Sequence, residues 1–304
     1  MLIINNLLPV FVLLGIGMIL RRARLTSDTF LKTSDKLVYY IFFPVMLFWK
    51  IGGAESSGAV DLNYCVASIG AVFLVFVLSI ISIHLFRISN FGAGTFSQSC
   101  YRFNTYIGMA VIINAFGSEG IRYFGIMISM TIPFINVMAV STLIWYSGKR
   151  IGLKQRLSMM FKALISNPLI LSCVAGILYS KSVGVFPIFL VNTFQLMSSV
   201  ALPLALLSIG GELTFRGVKG YLNVSIVASV LKLLLLPLIG YFFLRALGVT
   251  GMPFRVSMVF FALPTATSIY ILSSQLNSDT EMASATILIS TIFSFFTLSA
   301  ALLI

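Results

Sequence analysis

The segment Leu62-Asn63-Tyr64-Cys65-Val66-Ala67-Ser68 is echoed about 160 residues later by Leu222-Asn223-Val224-Ser225-Ile226-Val227-Ala228-Ser229. Further pairs of short motifs recur in the same order at nearly the same offset. They are Pro9 and Pro168, Pro44 and Pro203 with the Gly-Gly pairs that follow them, Phe103-Asn104-Thr105 and Leu263-Pro264-Thr265, and Phe116-Gly117-Ser118-Glu119 and Leu276-Asn277-Ser278-Asp279. Ordered matches at one offset indicate that the chain contains two copies of one structural unit.

The composition is that of a membrane protein. Of 304 residues, 59% are apolar and only 9% are charged, whereas a soluble domain carries about 25% charged residues. A helix needs about 20 apolar residues to cross a bilayer, and the apolar runs are too long and too regular for strands. We therefore predict an all-α integral membrane protein with ten transmembrane helices, over residues 3–20, 35–53, 62–86, 96–115, 121–146, 163–180, 187–211, 219–245, 253–274 and 282–303.

Five helices per copy is an odd number, so two copies in series enter the membrane in opposite directions. This arrangement is an inverted repeat, which is typical of secondary transporters. We predict a first repeat over residues 1–146, a basic cytoplasmic connector over 147–162, and a second repeat over 163–304.

The net charge of +12 is explained by topology rather than by nucleic-acid binding. Thirteen cations fall in the first, third, fifth and seventh joints between predicted spans, and five fall in the opposite joints. The positive-inside rule then places the odd-numbered joints in the cytoplasm and both termini on the outer face of the plasma membrane. The three cysteines lie inside predicted spans without metal-ligand spacing, and we expect neither a metal nor a cofactor.

The fourth and ninth spans are the candidate substrate site. Asn104 and Pro264 align at the repeat offset, and a proline within a helix removes one hydrogen bond. If both helices break there, half-helix ends meet, and their free amides can bind a carboxylate. Asn104 adds an amide, and hydroxyl groups are available from Thr105, Thr265, Thr267 and Ser268. The alternative is a structural role, because Ser and Thr often bond to the preceding turn of membrane helices.

Two cations lie deeper in the apolar spans than the others. Arg102 is two residues before Asn104, and Lys232 is within the eighth span. A charge at membrane depth is costly unless it faces a cavity or a partner. Both cations therefore favour an anionic substrate, although either side chain could instead extend to the membrane surface.

The motif Arg102-x-Asn104-x-x-Ile107-Gly108, followed by Gly117-Ser118-Glu119-Gly120, resembles the auxin efflux carrier family of permeases. So do Asn167-Pro168 and the run from Leu202 to Gly210, and the resemblance covers nearly the whole chain. It implies a scaffold of helices 1, 2, 6 and 7 and a moving transport domain of helices 3–5 and 8–10. It also implies that helices 4 and 9 are broken and cross, with substrate beside Asn104 and Pro264 and with Gly108 in the site motif.

Microbial members of that family are linked to malonate, malate and related carboxylates, and plant members export auxin. The chain lacks the long central loop of many plant carriers, so the resemblance favours a microbial permease. We therefore expect a carrier for a mono- or dicarboxylate that works by elevator-like alternating access. Without paired carboxylates inside the spans, a coupling proton or uniport is favoured over sodium coupling, and a homodimer is left open.

Three alternatives remain at this point. One is another ten-helix inverted-repeat permease, such as a drug or metabolite exporter or a bile-acid symporter relative. Another is a membrane sensor that does not transport. A membrane enzyme is disfavoured, because the spans offer neither a nucleophile with a base nor a metal cluster.

Overall fold

The structure, a computed structural model, describes residues 2–53, 62–147, 158, 166–214 and 218–304. Within these ranges all regular secondary structure is helical. Six helices are long and apolar enough to cross a membrane, which confirms a multi-pass all-α protein. These six segments are Asn5–Arg22, Asn63–Leu85, Thr105–Tyr146, Ile188–Glu212, Val218–Ala246 and Thr280–Leu303.

The helices of the described residues are numbered in chain order. They are α1 (Leu2–Arg22), α2 (Asp28–Leu37), α3 (Phe43–Gly52), α4 (Asn63–Leu85), α5 (Asn90–Ser99), α6 (Thr105–Tyr146), α7 (Pro168–Ser182), α8 (Ile188–Glu212), α9 (Val218–Val230), α10 (Leu236–Ala246), α11 (Gly251–Phe261), α12 (Ser268–Gln275) and α13 (Thr280–Leu303).

Two π-helical turns, Val38–Phe42 and Leu231–Leu235, connect α2 to α3 and α9 to α10. Each is followed within two residues by a proline, Pro44 or Pro237, near the start of the next helix. Because proline has no N–H, the regular bond to the preceding turn cannot form there. The residue after each turn instead donates to the carbonyl five positions earlier. Such insertions re-aim the side chains of one turn.

One predicted boundary differs from the structure, and one predicted joint is shorter than expected. The second span begins at Asp28 rather than at residue 35, because the Ser27 hydroxyl accepts from the Phe30 amide and caps α2 there. The predicted joint at 116–120 is present as a kink rather than as a longer loop. The two helical segments of α6 meet at Gly117, which leaves helical geometry with φ 62° and ψ −149°. The positive φ suits glycine, which has no Cβ to clash.

The described residues fall into two compact units. The first unit contains residues 2–53, 106–129 and 166–213, and therefore α1, α2, α3, α7 and α8. Helices α1 and α8 pack closely against each other in this unit. A Cβ added at Gly17 would overlap the Leu207 carbonyl, and one added at Gly210 would overlap the Leu14 carbonyl. The absence of a side chain at Gly17 and Gly210 thus permits the close packing of α1 against α8.

The second unit contains residues 62–105, 130–147, 158, 214 and 218–304, and therefore α4, α5 and α9 to α13. Helix α9 packs along α13, where the hydroxyls of Ser225 and Thr286 lie 3.0 Å apart in the buried interface. The ring of Phe261 occupies the space above Gly240 on α10. These contacts fix the end of α11 inside this unit.

The predicted division at 147–162 stays a prediction. Apart from Ser147 and Ser158, that connector lies outside the described residues. The inverted orientation of the two repeats is likewise taken up below as a proposal.

Candidate functional site

Both interruptions expected at Asn104 and Pro264 are present. Helix α5 ends at Ser99 and α6 begins at Thr105, while α11 ends at Phe261 and α12 begins at Ser268. We call residues 100–104 and 262–267 together the double break. Proline explains the second interruption, since it lacks an N–H and disfavours helical geometry in the residue before it. The first interruption contains no proline, so tertiary contacts must hold it open.

Those contacts come from the second interruption. The Asn104 backbone amide donates to the Pro264 carbonyl at 2.9 Å. In the other direction, the Thr265 hydroxyl donates to the carbonyl of Ser99, the last residue of α5, at 3.0 Å. The rings of Phe103 and Phe260 pack edge to face, with centroids 4.4 Å apart. Each interruption therefore satisfies backbone groups that the other exposes.

The neighbouring helices supply the remaining bonds. The Thr297 hydroxyl donates to the Ala262 carbonyl at 3.1 Å, and Ser290 Oγ accepts from the Thr265 amide at 3.2 Å. The Lys232 ammonium donates to the carbonyl of Phe261 at 3.1 Å. Lys232 is completely buried, which contradicts the alternative that this side chain extends to the membrane surface.

Some backbone amides at one of the two half-helix starts are already paired within the chain. At the start of α12 the amides of Ile269 and Tyr270 donate to the carbonyls of Ala266 and Thr267. These amides are therefore already paired, so an anion cannot rely on them. The reason is that the chain tightens into short-range turn bonds at this helix start, as helix ends often do.

The accessible charge of the site is the guanidinium of Arg102. It donates to Gln98 Oε1 at 3.4 Å, to Asn136 Oδ1 at 3.2 Å and to Ser268 Oγ at 3.3 Å. All three acceptors are neutral oxygens, and the bonds are longer than the 2.7–2.9 Å typical of a guanidinium with a carboxylate. A carboxylate that replaced one of them would form a shorter and stronger bond.

Exposure divides the predicted site residues into two groups. Arg102, Thr105 and Thr267 are half-buried, as is Ser268, so each of these residues keeps some exposed surface. Asn104, Pro264, Thr265 and Lys232 are buried. The structure brings these residues together in the second compact unit, whereas Gly108 is a buried residue of the first unit.

Sequence reasoning missed Gln98 as part of the site. Its amide oxygen accepts from Arg102, and its amide nitrogen donates to Ser273 Oγ at 2.9 Å. From Ser273 a chain of buried hydroxyls continues through Thr95 to Ser278, in steps of 2.8 Å. The network fixes which end of the Gln98 amide faces Arg102. The polar run from Ser97 to Ser99 was visible in the sequence, but Ser273, the partner of Gln98, lies 175 residues away.

No group of three or more His, Cys, Asp or Glu residues that could hold a metal ion occurs in the described part of the chain. The half-buried donors beside the double break are a guanidinium and hydroxyls, which suit an anion.

Comparison with known proteins identifies the family. A family model described as membrane transport protein matches residues 2–302. The chain belongs to this family. The resemblance to the auxin efflux carriers is thereby confirmed.

Two relatives of this transporter family align over nearly the full length. An uncharacterized transporter of Methanocaldococcus jannaschii is 22% identical over 295 residues, which cover 94% of each chain. A protein of Rhizobium meliloti named "Putative malonate transporter" is 25% identical over 307 residues, covering 96% of this chain and 92% of the relative. The protein is therefore a multi-pass membrane protein of a transporter family.

Proposed function

We propose that this chain is a secondary transporter that moves a small organic anion, a mono- or dicarboxylate, across the plasma membrane. The proposed architecture is ten transmembrane helices in a five-plus-five inverted repeat. Helices 1, 2, 6 and 7 act as the scaffold, and helices 3–5 and 8–10 form the transport domain. The anion binds beside the crossing of helices 4 and 9 and is carried by an elevator-like movement of the transport domain.

The observation that carries the proposal is the setting of Arg102. This half-buried guanidinium next to the double break has neutral oxygens as hydrogen-bond acceptors at 3.2 to 3.4 Å. A carboxylate arriving here gains a charge-assisted, two-point interaction with a guanidinium. The half-buried hydroxyls of Thr105, Thr267 and Ser268 can orient its second oxygen or a second carboxylate.

The internal matches support the inverted repeat. The interruptions between α5 and α6 and between α11 and α12 occur near the repeat offset of the sequence, which is what two copies of one broken-helix unit would give. Paired broken helices are the usual place for substrate in transporters built this way.

The division into compact units supports the proposed scaffold in part. Helices α1, α2, α3, α7 and α8, which correspond to predicted spans one, two, six and seven, group in the first unit. Residues 106–129, from predicted spans four and five, group there too. The double break belongs wholly to the second unit, so it can move as one body with its ligand.

The relative named for malonate supports a carboxylate as substrate class. Coupling to a proton, or uniport driven by the membrane potential, fits a chain whose eight acidic residues are sparse. The proposed orientation has both termini outside, following the distribution of cations. No catalytic step is proposed.

The test is uptake by purified protein in liposomes. Labelled malonate, malate and succinate are offered together with a monocarboxylate and an organic cation, with an imposed membrane potential or pH gradient. We expect saturable uptake of at least one carboxylate and none of the cation. Failure of every carboxylate to enter would contradict the proposal. Ligand-dependent thermal stabilisation without uptake would favour the sensor alternative.

A further inference from the structure

Lys232 is a lysine among leucines on the π turn between α9 and α10. The side chain has no exposed surface. A buried charge in a membrane helix is costly and is therefore a candidate for function. Its ammonium does not face a substrate cavity but donates to the carbonyl of Phe261 at 3.1 Å.

Phe261 is the last residue of α11, directly before the double break. The final carbonyls of a helix have no partner within the helix, and they carry the negative end of the helix dipole. In transporters with interrupted helices, such half-helix ends coordinate the coupling cation. At the C-terminal end of α11 this position is occupied by the ammonium of the protein's own Lys232.

The charge is not balanced by a carboxylate on the neighbouring helices. The π turn packs against α4, α9, α10 and α13. Helices α4, α9 and α10 contain no Asp or Glu, nor does α11, and the acidic residue of α13 is Glu281 in its first turn. Among the described residues, the carbonyl end of α11 is therefore the negative partner that the ammonium contacts.

The local backbone is built to aim this side chain. Because Pro237 cannot donate, the chain inserts a π turn, and Lys232 is the second residue of that turn. π insertions often occur at functional sites, since they rotate one turn relative to the rest of the helix.

We propose that Lys232 is a tethered cation that takes the place of a mobile coupling cation at the C-terminal end of α11. This inference rests on the proposed function, because it explains how the broken helix keeps its shape through a transport cycle without sodium. Lys232 is a positioning residue here, acting on the substrate through α11 rather than by contact.

The test removes the tether and supplies the charge from solution. In Lys232→Ala the truncated side chain leaves room for a small cation beside the Phe261 carbonyl. We expect ethylammonium or sodium to raise the melting temperature of Lys232→Ala at constant ionic strength, while the wild type responds to neither. The control is Lys219→Ala, which removes an exposed lysine on α9, the helix that precedes the π turn. A melting temperature of Lys232→Ala that does not respond to any of these cations would overturn the proposal. This readout needs no substrate, so it is separate from a failure of transport.

A second variant keeps the hydrogen bond and removes the charge. Lys232→Gln offers a neutral amide donor to Phe261, so it is expected to fold even if the alanine variant does not. We first establish uptake by the wild type in sodium-free choline buffer. In the same liposomes we expect uptake by Lys232→Gln to fall about tenfold or more, because a neutral donor forms a weaker hydrogen bond than a charged one. Wild-type rates in Lys232→Gln, or wild-type uptake that requires sodium, would contradict a tethered cation.

Discussion

Thr265→Val isolates one of the bonds that join the two halves of the double break. The substitution preserves the shape of the side chain and removes the hydroxyl that donates to the Ser99 carbonyl at 3.0 Å. Thr265 is fully buried, so the carbonyl at the end of α5 loses this donor where water cannot replace it. Interhelical hydrogen bonds in membrane proteins contribute about 0.6 kcal/mol on average and about 1.7 at most, and an orphaned buried group costs about 1–3 kcal/mol. We expect the free energy of unfolding to fall by about 1–2 kcal/mol.

The assay is reversible unfolding in bicelles by titration with sodium dodecyl sulfate, followed by circular dichroism. Thr193→Val is the matched control, because the exposed Thr193 hydroxyl donates only to the Phe189 carbonyl of its own helix at 2.8 Å. We expect that variant to stay within about 0.5 kcal/mol of the wild type. Equal stability losses in the two variants would refute the idea that the hydroxyl of Thr265 joins the two interruptions.

Two further predictions concern helix packing and substrate. Gly17→Ala is expected to destabilise the protein by about 1–3 kcal/mol, since its Cβ would overlap a backbone carbonyl of α8. The control Gly15→Ala, two residues earlier and facing open space, should be neutral or stabilising by up to about 1 kcal/mol. The same unfolding titration checks both variants, and effects of equal sign would count against the close packing of α1 and α8. Asn104→Ala is expected to abolish the thermal stabilisation that a transported carboxylate gives. The control Asn114→Ala, which removes an exposed amide that donates to the Asn6 carbonyl at 3.3 Å, should retain this stabilisation. Full ligand stabilisation of Asn104→Ala would show that Asn104 is not part of the site.

The sequence was sufficient for the features that depend on local chemistry. A composition with few charges predicts membrane helices, and the proline at 264 predicts an interruption. The repeat offset carried that prediction from Pro264 to Asn104, where no proline marks the break. Long apolar runs and one recurring offset are thus sufficient to locate the double break in the sequence.

Features that depend on contacts distant in sequence could not be predicted. The sequence predicts that the Thr265 hydroxyl contacts a substrate. In the structure it donates instead to the Ser99 carbonyl, 166 positions away in the sequence. The aim of Lys232 depends on a π turn, which no hydropathy pattern reveals. Gln98 was likewise unremarkable until Ser273 was seen beside it.

The predicted joint at 116–120 is correct in position but not in length. The break between the two spans is a kink at Gly117, and helical geometry resumes after this single glycine at positive φ. Short polar segments can stay helical, because the helix satisfies its own backbone groups whatever the side chains are.

The central claim is that the guanidinium beside the double break binds the transported anion. The most direct measurement is the dissociation constant of labelled malonate, or of the best-transported carboxylate, for the purified wild-type protein and for Arg102→Gln. Arg255→Gln is the control, because Arg255 is an exposed arginine on α11. Loss of one charge-assisted contact of about 1.5–3 kcal/mol predicts binding weaker by roughly 10- to 150-fold in Arg102→Gln and unchanged in the control. Equal affinity in all three proteins would contradict the account.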